Sequence, residues 1–187
     1  GLGDVYKRQT QYAIQVAKDN GCLISFDPNL RLSLWKTPEE ARKRILYGMK
    51  QCDIMKISEE EVAFVSEQES LEKGVSFIRD NSDIKILFVT LGNKGSIAYY
   101  KDEKIYCGGI HQEHVVDTTG AGDTFCGAVL SRILELGTDA LTEKDIREML
   151  LFANAAASIV VTRKGALCSM PEPEEIRAAS SLIDKVL

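Results

Sequence analysis

The sequence has little proline, a single tryptophan and no excess of basic residues. Its 187 residues include 4 Pro and 1 Trp, and 23 Lys and Arg stand against 28 Asp and Glu, for a formal net charge of −5 at pH 7. Proteins that bind the nucleic-acid backbone concentrate positive charge on one face, so no nucleic-acid partner is expected. Hydrophobic residues make up 44% and charged residues 27%. This usage is that of an ordinary globular domain and excludes extensive disorder.

The sequence also lacks a long apolar run, a secretory signal and a paired cysteine motif. Its longest apolar stretch, residues 155–161, is far shorter than the roughly 18 residues that span a bilayer. The five cysteines are dispersed without a C-x-x-C pair and are predicted to be reduced core residues: Cys22, Cys52, Cys107, Cys126 and Cys168. We therefore expect a soluble, cytoplasmic protein with no membrane partner.

Residues 1–9 have neither a start methionine nor a regular hydrophobic period. They are interpreted as a junction or expression scar and are left out of the fold prediction. The regular pattern begins at Thr10, so residues 10–187 are predicted to be the folded part.

Short apolar strands alternate with amphipathic helices after Thr10. Strands are predicted at residues 22–26, 54–57, 84–90 and 115–116, with a hairpin of 96–100 and 104–107. Helices are predicted at residues 10–20, 71–78, 121–136 and 142–159. Two more are predicted to begin after the capping residues Thr37 and Ser58, and a last one carries the apolar stripe of Ile176, Ile183 and Val186. This alternation predicts an α/β fold with a mainly parallel sheet in a three-layer α/β/α arrangement. Ligands of such sheets lie beyond the carboxyl ends of the strands.

A glycine-rich segment, residues 116–125 (VDTTGAGDTF), joins a predicted strand to a helix. Small residues let backbone N–H groups approach a ligand, and a helix start adds unpaired donors. The amides of Gly120, Ala121 and Gly122 are therefore predicted to form an anion hole. Asp123 follows directly, where a carboxylate can take a proton from a hydroxyl group. A glycine-rich turn followed by an ordinary first-turn acid explains the spacing equally well.

Two common nucleotide motifs are excluded by spacing, and a zinc site is disfavoured. The glycines at 120, 122 and 127 miss the G-x-G-x-x-G dinucleotide motif, and the sequence contains no G-x-x-x-x-G-K-[ST] phosphate loop. Cys107, His111 and His114 lie near each other but lack a fourth ligand for a zinc site.

Residues 117–123 (DTTGAGD) resemble the C-terminal signature of the ribokinase-like (PfkB) family of sugar kinases. Residues 90–95 (TLGNKG) resemble the family's nucleotide turn, residues 154–157 (NAAA) its adenine-flanking helix start, and residues 162–166 (TRKGA) its late loop. The similarity covers nearly everything after Thr10. Residues 27–31 (DPNLR), followed by Leu34 and Trp35, are most similar to the fructokinase branch.

The resemblance implies a role for each matching residue. Asp123 would be the catalytic base, the amides of residues 120–122 would stabilise the transferred phosphoryl group, and Arg31 would contact a phosphate or sugar oxygen. Four residues would lie around ATP: Thr90, Gly92, Gly95 and Asn154. Five residues would bind a monovalent cation, for which K⁺ is the candidate: Asp117, Thr119, Val160, Gly165 and Ser169.

Residues 58–61 (SEEE) occupy the family's N-x-x-E position, with serine where asparagine is usual. The resemblance places Ser58 near the nucleotide and has Glu61 orient the hydration shell of Mg²⁺. Ser58 and Glu61 also make a capping box, which explains them structurally. Lys56 is interpreted as a solvated charge at a strand end.

The preferred hypothesis is a fructokinase-like enzyme, represented by a C-terminal portion that lacks most sugar contacts and the lid. ATP would donate its γ-phosphate to the sugar with Mg²⁺ assistance. The alternatives are a nucleotide-binding module without turnover and a kinase for 2-keto-3-deoxygluconate or ribose. The expected partners are a sugar and ATP. A homodimer of the full-length protein is compatible with the sequence.

Overall fold

The structure, a computed structural model, describes residues 2–183, with side chains for residues 5–180. The chain divides into two compact units, Gly1–Leu87 and Phe88–Leu187. Each unit contains strands followed by helices, and each is described on its own below.

The first unit contains four helices and two complete strands in the described residues: α1 (Leu2–Asp19), β1 (Ser25–Phe26), α2 (Pro38–Met49), β2 (Ile54–Ser58), α3 (Glu59–Ser66) and α4 (Leu71–Asp80). Strands β1 and β2 are parallel, with Phe26 opposite Met55. Hydroxyl groups cap three of the helices, because Thr37, Ser58 and Ser70 each accept a hydrogen bond from a first-turn N–H group. The two capping signals predicted at Thr37 and Ser58 are thus found.

Two predicted elements of this unit have different bounds in the structure. Helix α1 begins at Leu2 rather than Thr10, so it includes most of residues 1–9. Strand β1 has two residues instead of the five predicted. The reason lies at Ile24, whose N–H group donates to the Asp53 carboxylate over 2.8 Å instead of to a neighbouring strand. Whether residues 1–9 are a junction stays a prediction.

The second unit is built on a hairpin and three helices in the described residues: β4 (Gly95–Tyr100), β5 (Glu103–Gly108), α5 (Ala121–Leu136), α6 (Glu143–Val160) and α7 (Pro173–Ile183). The hairpin is antiparallel, with Gly95 opposite Gly108. Helix α5 begins and ends at the predicted residues. Its buried face carries Phe125, whose ring meets that of Phe88 edge to face at 6.3 Å.

Strand β3 (Ile86–Thr90) crosses the boundary between the units. The five strands are hydrogen-bonded in the order β1-β2-β3-β4-β5. The sheet is mixed, since β1 and β2 are parallel and β4 and β5 antiparallel. This agrees with the predicted strand–helix alternation and with the predicted hairpin.

The strand predicted at residues 115–116 is wrong. Val115 and Val116 are exposed and form no strand. The Val116 N–H group donates to the carbonyl of Val161 over 2.8 Å, so this segment is held by the end of α6 instead of a strand.

The prediction that the cysteines are core residues holds only in part. Cys52 and Cys107 are buried, whereas Cys22 and Cys168 are exposed. Burial raises the pKa of the Cys52 thiol to about 12, which makes it unreactive at neutral pH.

Of the three residues in the predicted apolar stripe of the last helix, only Ile176 has a described side chain. Ile176 is buried in α7, whereas the Ile183 side chain and all of Val186 lie outside the described residues. Across residues 2–183, none of the helices has the length and apolar content that a bilayer crossing requires.

Candidate active site

The start of α5 leaves backbone N–H groups without a capping side chain. Gly120 is the N-cap residue, in the left-handed region at φ 82°, and it supplies no side-chain hydrogen bond. The Ala121 N–H group has only a 3.3 Å contact with the Thr118 carbonyl, and Thr124 begins the regular helix by donating to Gly120. Since the first donors of a helix have no partner within it, this end can bind an anion.

Gly120 also lies close to the late loop, although its positive φ, and not this contact, is what favours glycine. A Cβ atom at this position would lie 3.4 Å from both Cα and Cβ of Ala166. The turn before α5 therefore packs directly against the late loop, which was predicted from residues 162–166. The two motifs, separate in sequence, meet in the second unit.

Asp123 lies on the first turn of α5, immediately after Gly122, and its side chain is exposed. Exposure leaves the carboxylate accessible to a hydroxyl-bearing molecule. The structure thus brings together the four residues 120–123 as an open helix start with one acid.

Asp117 is held in place by two backbone donors. Its Oδ1 accepts from the Thr119 N–H group over 2.9 Å, and its Oδ2 accepts from the Gly165 N–H group over 3.3 Å. Hydrogen bonding from Thr119, by side chain and backbone, and from Gly165 lowers the pKa of the Asp117 carboxyl below its ordinary value. The Ser169 hydroxyl donates to the Gly165 carbonyl over 2.5 Å. Four of the five predicted cation residues are therefore linked.

Val160 is the predicted cation residue that this network leaves out. Its carbonyl accepts from the Arg163 N–H group over 3.1 Å, whereas the neighbouring Val161 carbonyl accepts from the Asp117 N–H group over 3.2 Å. The side-chain and backbone oxygens of this cluster, one of them anionic, are the donors that a hard cation prefers. The donor set therefore fits K⁺. Among residues 2–183, no group of three or more His, Cys, Asp or Glu side chains is arranged to hold a metal ion.

The turn after β3 needs glycine at two positions. Residues 92–94 form a short 3-10 helix, with Gly92 at φ 61° and Gly95 at φ 105°. A Cβ atom at Gly95 would lie 2.2 Å from the Cys107 carbonyl oxygen, so the hairpin closes only with glycine there. Thr90 ends β3 half-buried, and Gly92 is exposed.

Asn154 lies in the second half of α6, inside the helix predicted at 142–159, and does not begin a helix as the family resemblance implied. Its side chain is buried and bonded within the protein. Oδ1 accepts from the Ser96 hydroxyl over 3.0 Å, and Nδ2 donates to the carbonyls of Cys107 and Gly108, each over 3.2 Å. The amide therefore fastens α6 to the open end of the hairpin.

In the first unit, Lys56 and Asp27 form a buried ion pair. Lys56 Nζ lies 3.1 Å from Asp27 Oδ2, and the two side chains are only 8% and 16% exposed. The interpretation of Lys56 as a solvated charge is thus wrong. Burial raises the pKa of the Asp27 carboxyl above its ordinary value, the Lys56 ammonium opposes this shift, and Glu61 adds to it.

Glu61 is buried at the start of α3 and accepts two backbone hydrogen bonds. Oε2 accepts from the Ser58 N–H group over 2.9 Å, which completes the capping box, and Oε1 accepts from the Leu30 N–H group over 2.6 Å. Each carboxylate oxygen retains a second lone pair. This geometry fits a contact with Mg²⁺ through a bound water. Arg31, next to Leu30, is exposed.

Three of these relationships were not predicted: Lys56 with Asp27, Leu30 with Glu61, and Asn154 with Ser96. One signal was present in the sequence, because a lysine within the apolar strand IMKIS is rarely solvated when both neighbours are buried. The partners 29 to 58 residues away gave no local signal.

Comparison with known proteins places these features in a family context. Residues 5–173 match the model of the pfkB family carbohydrate kinases. The chain is 40% identical over 168 residues to probable fructokinase-4 of Arabidopsis thaliana, covering 89% of this chain and 51% of the relative. It is 42% identical over 166 residues to fructokinase-1 of Oryza sativa subsp. japonica, covering 88% and 50%. The chain thus spans about half the length of the curated relatives it matches.

Solved structures agree in fold. A fructokinase double mutant of Vibrio cholerae O395, bound to fructose, ADP and a potassium ion, matches with a TM-score of 0.82 at 33% identity, over 90% of this chain and 54% of that one. An E. coli protein described as a ribokinase II, in complex with ATP and Mg²⁺, matches with a TM-score of 0.77 at 31% identity, over 92% and 53%. The predicted α/β fold of the ribokinase-like kind is confirmed by these matches.

Proposed function

The chain belongs to the pfkB family of carbohydrate kinases, and from this premise we propose that its protein transfers the γ-phosphate of ATP to a hydroxyl group of fructose. The observation that carries the proposal is the uncapped start of α5, with the exposed Asp123 on its first turn. The choice of fructose is supported by relatives that are named fructokinases.

The chemistry assigned to α5 is an in-line displacement. The sugar oxygen attacks the γ-phosphorus, the bond from that phosphorus to the bridging oxygen breaks, and ADP leaves with the electron pair. Asp123 accepts the proton that the sugar hydroxyl loses. The amides of Gly120, Ala121 and Gly122 stabilise the charge on the transferred phosphoryl oxygens, since donors fixed at a helix start need not reorganise during the reaction.

We assign the nucleotide to the turn after β3 and to its surroundings. Thr90, Gly92 and Gly95 are proposed to line ATP, because glycine allows close backbone approach there. Asn154 is proposed to act near ATP by holding the hairpin beside this turn, in keeping with its three bonds to the hairpin. Ser58 is proposed to lie near the nucleotide, as the resemblance implies, while its hydroxyl caps α3.

Two cations are proposed. Glu61 would orient water bound to Mg²⁺, which neutralises phosphate charge when present. Asp117, Thr119, Gly165 and Ser169 would hold K⁺, with a carbonyl from Val160 or its neighbour Val161. The ions recorded in the two bound structures described above support the choice of Mg²⁺ and K⁺.

Arg31 is proposed to contact a sugar or phosphate oxygen. The residue is exposed and directly follows Leu30, whose N–H group donates to Glu61. A guanidinium in a fixed loop can form two parallel hydrogen bonds with an oxyanion.

The test is a coupled ADP-release assay on the complete polypeptide that carries this sequence, with ATP and a panel of fructose, ribose and 2-keto-3-deoxygluconate. We expect the highest kcat/KM with fructose. Turnover of another sugar in preference would correct the acceptor. No turnover with any sugar, while ATP still binds, would support a nucleotide-binding module instead. A homodimer stays a prediction, and the elution volume of the same material tests it.

A further inference from the structure

Lys56 is unusual because a charged side chain lies in the middle of a buried strand. Both neighbours in β2, Met55 and Ile57, are completely buried. A lysine is almost never buried unless its charge is paired. Its ammonium lies 3.1 Å from Oδ2 and 3.4 Å from Oδ1 of Asp27, so it contacts both carboxylate oxygens.

Asp27 passes this constraint to the loop that follows β1. Its Oδ1 also accepts from the Asn29 N–H group over 3.2 Å, and Asn29 takes the left-handed conformation at φ 44°. The next residue, Leu30, donates its N–H group to Glu61 over 2.6 Å. The shape of loop 27–30 therefore depends at one end on Lys56 and at the other on Glu61.

The hydrogen bonds form a closed circuit in the first unit. From Glu61 the connection continues to the Ser58 N–H group over 2.9 Å, and Ser58 lies two residues after Lys56 on β2. Each carboxylate in the circuit is held at both oxygens, Asp27 by Lys56 and Asn29, and Glu61 by Leu30 and Ser58. The conformations of the Asp27 and Glu61 carboxylates are thus connected through loop 27–30 and strand β2.

We propose that Lys56 is a positioning residue, which acts through Asp27 and loop 27–30 to hold the Glu61 carboxylate in the orientation that receives magnesium-bound water. This inference rests on the proposed function, because it uses the role given there to Glu61. It adds to that function a residue that does not itself touch substrate. Groups that orient metal-binding residues commonly change metal affinity by about 10–100-fold when removed.

The test compares Lys56→Met with Lys56→Arg in the complete polypeptide. Methionine fills the buried space without a charge, whereas arginine keeps the charge. The exposed Lys50, at the end of α2, supplies the matched control Lys50→Met. Two quantities are measured: the Mg²⁺ concentration that gives half-maximal turnover, and the ATP dissociation constant by calorimetry with and without Mg²⁺.

We expect Lys56→Met to raise the half-maximal Mg²⁺ concentration about 10-fold or more, and to remove most of the difference between ATP binding with and without Mg²⁺. Lys56→Arg is expected to stay within about 3-fold of the wild type on the same scale. Lys50→Met should change neither quantity. A loss of kcat or of thermal stability in Lys56→Met, with an unchanged Mg²⁺ dependence, would overturn the proposal and leave Lys56 a structural residue.

Asp27→Asn keeps the test decisive if Lys56→Met does not fold. It removes the charge partner at constant size, and the proposal requires the same increase in Mg²⁺ requirement. If both residues act through one pathway, the double variant Lys56→Met/Asp27→Asn should raise the half-maximal Mg²⁺ concentration by the same factor as one single variant, and not by the product of the two factors. Independent effects would contradict the pathway. The calorimetric measurement needs no sugar. If the wild-type protein shows no turnover but binds ATP in a Mg²⁺-dependent way, the proposed function is contradicted, and the role of Lys56 can still be tested by ATP binding.

Discussion

The side-chain oxygen of Asn154 accepts a hydrogen bond from the Ser96 hydroxyl over 3.0 Å, joining residues 58 positions apart. The same amide donates to the carbonyls of Cys107 and Gly108 on the opposite strand of the hairpin. One helical side chain therefore joins both strands of the hairpin at the end next to the turn of residues 92–94. A buried amide with all these bonds made contributes to stability mainly through what its loss leaves unpaired.

Replacement of Asn154 by alanine is expected to lower the free energy of unfolding by about 1–3 kcal/mol, because buried carbonyl and hydroxyl groups lose their partners. Asn154→Asp keeps the size but places an acceptor against two carbonyl oxygens, so it should destabilise at least as much at neutral pH. Urea unfolding measures both. Asn93→Ala, at an exposed position of the adjacent turn, is the control and should change stability by less than about 0.5 kcal/mol. An Asn154→Ala protein as stable as this control would contradict the assigned role.

Two glycines of the same helix region should respond to alanine in opposite directions. Gly120 has φ 82° and lies against Ala166, so Gly120→Ala forces a strained backbone and should cost about 1–2 kcal/mol. Gly127 lies inside α5 with no atom within 4 Å of an added Cβ. Gly127→Ala should therefore stabilise by about 0.5–1 kcal/mol. Thermal melts of the two variants give the signs directly, and equal signs would show that the local backbone of α5 differs from this description.

The bounds of α5 could be predicted from the sequence because its signals are local. Gly120 and Gly137 flank an apolar face that contains Phe125, Val129 and Ile133. The residues 120–123 could likewise be assigned as a candidate site, since a glycine-rich helix start is a contiguous pattern.

The remaining features depend on partners that are distant in sequence. Val115 and Val116 have strand propensity, but a strand needs a neighbouring strand, and the partner of Val116 is the single carbonyl of Val161, just after α6. The charge on Lys56 was visible, whereas its pairing with Asp27, 29 residues earlier, follows only from the alignment of β1 with β2. The position of Asn154 on a helix could be predicted from the cap at Thr142, whereas its bonds to the hairpin, 46 to 58 residues away, could not.

Asp117 gives a prediction for the dependence of stability on pH. Its carboxyl pKa is lowered in the folded state by hydrogen bonds from Thr119 and Gly165, relative to the ordinary value of 3.8. A lowered folded-state pKa means that the carboxylate stabilises the fold above that ordinary value. The contribution is lost as the pH falls through the lower folded-state pKa.

The measurement is Tm against pH for the wild type and Asp117→Asn. The wild type should be the more stable at neutral pH, and the difference should shrink as the pH falls below about 3.8. Asp83→Asn, at an exposed position in the first unit, controls for the change in net charge. A difference in Tm that is constant from neutral to acidic pH would mean that the Asp117 carboxylate makes no net contribution through these bonds.

Asp123→Asn tests the proposed base. Asparagine keeps the size of the side chain and much of its hydrogen bonding on the first turn, but it cannot accept the proton of the sugar hydroxyl. Loss of a general base typically costs about 10²–10⁴-fold in rate, or about 3–5 kcal/mol of barrier. The decrease should affect kcat, while the ATP dissociation constant stays nearly unchanged, because the carboxylate acts in the transition state.

Steady-state kinetics and calorimetry on the complete polypeptide measure kcat and the ATP dissociation constant separately, with Asp102→Asn in the exposed hairpin turn as the matched control. If Asp123 is only a first-turn acid, the substitution should cost under about 1 kcal/mol of stability and leave turnover intact. Near wild-type kcat in folded Asp123→Asn would therefore rule out the proton transfer assigned to this residue.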